Sequence, residues 1–311
     1  SVPQECLILT MKANQKYFPL LDAQGRLSHR FLLVSNINPA DPSAVIGGNE
    51  RVVRPRLADA RFFFDQDRKK TLESRVASLE KVVYHNKLGT QGQRMLRVCA
   101  IAKALAQSWP QSSADFVAQV QTAASLAKTD LLTDMVGEFP ELQGVMGRYY
   151  ALHDGEHPSV CDAIAEHYQP RFAGDSLPQG PVSVILALAD KLETLVGLFG
   201  IGQLPTGDKD PFALRRHALG VIRMLMERKL HLGLKDLWRC AVPAFGGLIQ
   251  DPSSELNEFV LDRLSASLRE QGYSAQEVAA VLALQPDQLA DVTQRLQAVR
   301  AFSNLPEAPA L

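Results

Sequence analysis

The stretch AKTDLLTDMVGEFPELQGVMG, residues 127–147, places acids at Asp130, Asp134, Glu138 and Glu141. Spacings of four, four and three would stack these carboxylates along one side of a helix. Such a stripe either grips a cation, or faces water or a basic neighbour, and the choice separates a metal-centred bundle from a scaffold. Pro140 has no amide hydrogen and clashes with the preceding turn, and Gly144 and Gly147 follow it. The stripe is therefore predicted to be continuous only from Asp130 to about Glu138.

On both sides of this stretch apolar residues recur at helical spacing. Leu72, Val76, Leu79 and Val83 form one stripe upstream, within a helical run that starts near Leu57. Further helices are predicted near 91–108, 113–134, 159–168, 181–199, 211–230, 234–247, 254–271, 275–284 and 288–302. Asp210 before Pro211 reads as a helix start, with the carboxylate accepting free amides and proline at the first helical position. That helix is expected to bury Phe212, Leu219, Ile222 and Met226.

The beginning of the chain reads differently. ECLILTM (5–11), KYFPLL (16–21) and RFLLVSNI (30–37) look like strands, the last two flanking the turn DAQGRLSH. They predict a β-hairpin belonging to a mixed α/β domain. NPADPSAVIGGNE (38–50) gathers Pro39, Pro42, Gly47 and Gly48 and is expected to be a boundary. The fold class expected is mainly α, with a short hairpin-containing piece at 1–48, a helical bundle at 49–203 and further helices at 204–311. The opening strand, which lacks a preceding turn or cap, suggests a piece of a longer chain, and the tail NLPEAPAL is expected to fray or to link onward.

Lys plus Arg number 33 against 34 for Asp plus Glu, so the net charge of -1 excludes a uniformly cationic nucleic-acid binder. Any RNA contact has to come from clustering. RVVRPRLADARFFFDQDRKK (51–70) carries seven Arg or Lys against three Asp, with Phe62, Phe63 and Phe64 in its midst. Guanidinium forks bind phosphates and aromatic faces stack on unpaired bases, which makes Arg51, Arg54, Arg56, Arg61, Lys69 and Lys70 candidates for RNA; the bland alternative is a solvated helix whose phenylalanines enter the core. In PTGDKDPFALRRHALGVIRML (205–225) the Walker spacing is absent, and Arg215, Arg216 and Arg223 either touch RNA backbone or pair inward with Asp130, Asp134 and Glu138. Cys6, Cys99, Cys161 and Cys240 are scattered, without zinc or disulfide spacing, which fits a reducing cytoplasm. No apolar run approaches the roughly 18–20 residues of a membrane span. G-x-S-x-G and H-E-x-x-H are also absent.

His85, Asp130 and Asp190 follow one another in the order of the ligands of HD-type metal phosphohydrolases, which run His, His-Asp, Asp. That chemistry needs several lone pairs around a divalent ion and an acidified water. Here Thr129 stands where the dyad's histidine belongs, so the set is one donor short and the centre is expected to be a relic without metal. His167 in AEHY is a further histidine on an amphipathic pattern.

Seven stretches carry a more specific resemblance: MKANQKYFPLLD, GNERVVRPRLADARFFFDQD, KLGT, KTDLLTDMVGEFPELQGVMGRYYA, EHYQPRFAGDSLP, LADKLETLVGLFGIGQ and PTGDKDPFALRRHALGVIRML. Together they span roughly residues 10–230, and the chain resembles the beta subunit of the bacterial two-subunit glycyl-tRNA synthetase. The resemblance implies an internal piece holding the end of a B3/B4-like domain, an HD-like bundle and the start of a helical body. It also implies tRNA(Gly) and an alpha subunit as partners, ATP and Mg²⁺ at the alpha-subunit site, and no catalytic residue or metal here. Two other readings compete with it, a free-standing HD phosphohydrolase and a purely structural helical connector.

Overall fold

The computed structural model describes residues 2–303 and residue 305. Among the described residues the chain is mainly α-helical with two small antiparallel hairpins. It opens with α1 (Gln4–Gln15), then β1 (Phe18–Leu21) and β2 (Leu27–Leu32), followed by α2 (Ser43–Asp67) and α3 (Leu72–Arg75). A 3-10 turn (Val76–Lys81) leads into β3 (Val83–His85) and β4 (Gly89–Thr90), and then into α4 (Gln91–Gln107) and α5 (Ala114–Leu126). Next come α6 (Asp134–Glu138), α7 (Val145–Asp154), α8 (Pro158–Glu166) and α9 (Pro181–Gly200). The chain closes with α10 (Leu214–Glu227), α11 (Leu234–Ala241), α12 (Ser253–Glu270), α13 (Ala275–Leu282) and α14 (Val292–Ser303).

The organising element is α9, in which every residue from Val182 to Gly200 is buried. A helix apolar on nearly all sides belongs inside. It packs against α4, α5, α8, α10, α11 and α12. Gly197 permits the closest approach, because a Cβ there would sit 2.8 Å from the Phe245 ring and 3.1 Å from Leu88. Burial also forces a choice on the polar residues of α9: Asp190, Lys191, Glu193 and Thr194 must find partners inside the protein.

Several expectations need correction. ECLILTM is helical, within α1, because a short apolar run does not distinguish strand from helix; the buried Cys6 and Thr10 lie one helical turn apart, while Met11 turns to a second apolar cluster with Tyr17 and Val53. Gln4 then ties α1 to the hairpin, donating to the Gly25 carbonyl and accepting from the Leu27 amide. The hairpin itself forms as predicted, with Phe18 opposite Leu32 and Leu21 opposite Leu27. Its turn is closed by Asp22, which accepts from the Gln24 and Arg26 amides, and by Gly25 at φ +73°. The Pro- and Gly-rich stretch 38–50 is not irregular throughout: α2 begins at Ser43 and runs past Pro55. The carbonyl that Pro55 leaves without an amide belongs to the exposed Arg51, within reach of water.

The stripe Leu72, Val76, Leu79 and Val83 does not continue one helix. Leu72 and Leu79 are buried, but the 3-10 turn changes the period and delivers Val83 to a strand, 77% exposed. The helix after Asp210 starts at Leu214, beyond Pro211, although Asp210 caps it as expected by accepting from the Leu214 and Arg215 amides. Its inward face is Leu214, Ala218, Val221, Ile222 and Leu225, while Phe212, Leu219 and Met226 are half-buried. The tail expectation lies outside the described residues apart from Leu305.

Gly197→Val is expected to lower the unfolding free energy by about 1–3 kcal/mol, because the branched side chain overpacks the contact with Phe245 and Leu88. The denaturant midpoint of the purified chain measures it.

Candidate functional site

The acid stripe is not a helical face. Thr129–Leu132 is a single 3-10 turn, α6 is a separate short helix, and Pro140–Leu142 forms another 3-10 turn before Gly144 opens α7 at φ +80°. Asp134, Glu138 and Glu141 are exposed, and Asp130 alone is buried. Its Oδ2 accepts the Gly144 amide at 2.6 Å and the Gly147 amide at 3.1 Å, so it closes the N-terminus of α7. Gly147 is required there, because a Cβ would meet Ile164 at 2.6 Å and Asp130 Oδ2 at 3.0 Å. Burial pushes the Asp130 carboxyl up to about 6, against the pull of those two amides and of Lys128.

Asp190 has a different environment. Arg94 on α4 donates to it through Nη2 at 3.0 Å, and Lys128 Nζ stands 3.3 Å from the same oxygen. One turn further along α9, Glu193 accepts Arg94 Nε at 2.8 Å and Arg97 Nε at 2.9 Å. Lys191 Nζ donates to the carbonyls of Gln169 at 2.8 Å and His167 at 3.3 Å. Burial alone would raise the Asp190 carboxyl, but Arg94 and Lys128 outweigh it and hold the group well below its ordinary range. Burial lowers Lys128 and Lys191 to about 8, with Asp190 pulling the other way. The Lys128 ammonium also rests 3.8 Å from the centre of the Tyr168 ring.

The positions that follow the HD-type order, expected to be a relic, each have other partners. Thr129 turns its hydroxyl to the Leu126 carbonyl at 2.7 Å. His85, expected late in a helix, lies in β3, where its ring packs on Phe212 and its Nδ1 accepts the Lys87 amide. His167 uses Nδ1 on the Ile164 carbonyl at 2.7 Å, and burial with Lys128 nearby depresses its basicity strongly. Its Nε2 and Asp130 Oδ1 have no partner, yet a divalent ion there would meet the Lys128 charge, which acts on Asp130, His167 and Asp190. Among the described residues no three His, Cys, Asp or Glu converge to hold a metal ion. The donor set does not fit the metal of an HD-type hydrolase, and the protein's own cations neutralise its carboxylates.

The inward pairing considered for α10 is not formed. Arg215 donates to the Gly207 carbonyl, Arg223 pairs with Glu227 and donates to the Asp175 carbonyl, and Arg216 is exposed. The residues that do build the cluster, Arg94, Arg97, Lys128, Lys191 and Glu193, escaped notice in the sequence. The available signal was reciprocal spacing: Arg94 and Arg97 are three apart on α4, as are Asp190 and Glu193 on α9.

On α2, Arg51, Arg54, Arg56 and Arg61 are all exposed, as are Lys69 and Lys70 just beyond it. Helical spacing puts Arg51, Arg54, Arg61 and Phe62 on one face, opposite the buried Val53, Ala60 and Phe64. Phe62 is 58% exposed. Among the described residues the one ion pair of these six cations is Arg61 with Asp65, at 3.6 Å.

These features define a class: a mainly α-helical protein whose polar centre is knit by side-chain ion pairs and whose basic residues gather on an outer helix. The sequence model described as "Glycyl-tRNA synthetase beta subunit" matches residues 1–283. A protein of Paracidovorax citrulli named glycine–tRNA ligase beta subunit is 72% identical over 310 residues, covering 100% of this chain and 44% of that protein. Proteins of the same name from Janthinobacterium sp. and Delftia acidovorans are 71% and 69% identical, again over 100% of this chain and 44% of theirs. The chain belongs to the glycyl-tRNA synthetase beta subunit family. It spans less than half the length of these relatives.

Two outcomes are expected. Asp190→Asn leaves Lys128 buried without an ion-pair partner and Arg94 with Glu193 alone, and should cost about 3–5 kcal/mol in chemical unfolding at neutral pH. Asp130 binds its proton more tightly folded than unfolded, so its contribution to stability is complete below pH 3.8 and gone above about 6. Unfolding curves at pH 4 and pH 7 should show Asp130→Asn gaining about 2 kcal/mol on the wild type between the two, since a tenfold difference in proton affinity is worth about 1.4 kcal/mol.

Proposed function

We propose that this chain is the tRNA-binding part of a glycine–tRNA ligase beta subunit. It supports ATP-dependent glycylation of tRNA(Gly) in the cytoplasm, with the reaction carried out in an alpha subunit that holds ATP and Mg²⁺. The family membership supplies the ligase context, and no helix among the described residues is long and apolar enough to cross a membrane. One observation carries the binding role: α2 holds Arg51, Arg54 and Arg56 in solvent without ion-pair partners among the described residues, beside an exposed phenylalanine.

Unpaired guanidinium groups keep their forks free for phosphate oxygens, and contacts of that kind orient an RNA without reading its bases. Phe62 adds a flat apolar face on which an unpaired base can stack. Lys69 and Lys70 extend the basic strip past the helix end. On α10, Arg216 is the exposed candidate, since Arg215 and Arg223 are committed to internal partners. Within this reading the buried cluster is architecture: it holds α4 against α9 and takes no part in bond-making. The connector reading requires the arginines to pair inward, and those of α2 do not.

The triple reversal Arg54→Glu, Arg56→Glu, Arg61→Glu should weaken binding of a tRNA(Gly) transcript by about tenfold or more and flatten its dependence on salt. Filter-binding curves across a salt series measure both, and curves superimposable on the wild type would make α2 a structural face.

A further inference from the structure

One of the stretches behind the family resemblance, KLGT at 87–90, has no part in the reading above. It forms the tip and second strand of the β3–β4 hairpin, which stands against α4 and borders an open cavity of about 310 Å³. The lining is Asn86, Lys87, Gly89, Gln93 and Arg97 with the apolar Leu88, Leu96 and Leu248, and it contains no acid. That separates it from the two larger depressions nearby. The one of about 570 Å³ beside α11 and α12 sets Lys235 and Arg239 against Asp251 and Glu258. The one of about 670 Å³ at the end of α9 sets Lys87 against Asp251 and Glu255. Both hold charges of either sign in their walls; the wall of the small cavity carries only cations, with Glu193 paired to Arg97 behind it.

Its two cations differ in kind. Lys87 is exposed and has no ion pair among the described residues. Arg97 is 7% exposed, with Nε held by Glu193 and its guanidinium over the Phe245 ring; its Nη2 is sealed from solvent, and its Nη1, which is not sealed, makes no hydrogen bond among the described residues. A buried, oriented guanidinium with an unused N–H is a strong donor to an anion, and stronger where water is scarce. The tip is also held in place. The Lys87 amide donates to His85 Nδ1, Gly89 sits at φ +87°, and a Cβ on Gly89 would collide with the Gln93 carboxamide that closes the N-terminus of α4. The Asn86 carboxamide adds a neutral donor at the rim.

We propose that this cavity binds a phosphate group, gripped by Lys87 and Arg97. Its size is at the lower end for ligand sites, which suits one phosphoryl group and its sugar rather than a whole dinucleotide. The exposed Leu96 and Leu248 at the cavity wall offer contact to the apolar side of a ribose. The phosphate comes either from an RNA backbone, which rests on the tRNA reading above and gives that RNA a second anchor besides α2, or from a free phosphorylated small molecule.

Two arms of one experiment separate these sources. In the first, the ¹⁵N-labelled chain is titrated with sodium phosphate against sodium chloride of equal ionic strength. The amides of residues 86–89 should shift saturably with phosphate, and Lys87→Glu should abolish the shift while Lys87→Arg keeps it. In the second, Lys87→Glu should weaken binding of a tRNA(Gly) transcript about tenfold and reduce the slope of log K on log salt by about one. Lys87 is exposed, so the thermal midpoint should not move. A phosphate shift with an unaltered transcript curve assigns the site to a small phosphorylated ligand. A wild-type chain that binds no transcript sinks the tRNA reading and leaves the phosphate arm to decide the cavity. Absence of a phosphate shift, or the same shift in Lys87→Glu, overturns the proposal whatever the transcript does.

Discussion

The pairing of Asp190 and Glu193 with Arg94, Arg97 and Lys128 is the constraint around which the structure is arranged. The two carboxylates lie on a helix buried along its length, so they are unavoidably inside. Isolated charges there would be prohibitive, and their cost is offset only by close, hydrogen-bonded partners. Those partners come from α4 and from the segment just before the 3-10 turn at Thr129, and the network locks the mutual register of these elements. The apolar contacts of α9 could be satisfied in more than one rotation, whereas the Arg94 fork spanning Asp190 and Glu193 permits very few.

The same network occupies the donors at the positions that follow the HD-type order. A divalent ion needs lone pairs that are free and convergent. Asp190 has spent its charge on Arg94 and Lys128, Thr129 bonds to backbone, Asp130 closes α7, and His85 belongs to a hairpin. Lys128 is the decisive residue: its ammonium acts on every remaining donor of the cluster. Interior cations thus serve interior carboxylates, and the outward basic residues of α2 keep a single ion pair among the described residues, Arg61 with Asp65. Division of charge between core and surface is what lets a chain of near-zero net charge present a basic strip.

Helices with strong periodicity were legible without the structure, among them α4, α9 and α12, because their apolar spacing and flanking Gly, Ser and Thr signals agree. Failures came where local pattern and tertiary demand diverge. ECLILTM has strand-like composition but its burial follows helical spacing, and Leu72 to Val83 keeps a spacing of three and four that a 3-10 turn satisfies as readily as a helix. The basic strip at 51–70 was visible as composition, though not the side of the helix on which each arginine stands.

Sequence by itself determined the mainly helical class, the hairpin at Asp22–Gly25, the capping role of Asp210 and the family. These depend on residue identity and on interactions within a few positions, which a linear pattern records. Tertiary structure alone decided that Asp130 is a buried cap, that Arg94 and Lys128 hold Asp190, and that Arg223 turns to Glu227 and not to the acid stripe. The physical reason is that electrostatic partnership depends on distance and burial, and pairs 62 and 96 positions apart in the chain, Lys128 with Asp190 and Arg94 with Asp190, leave no local mark.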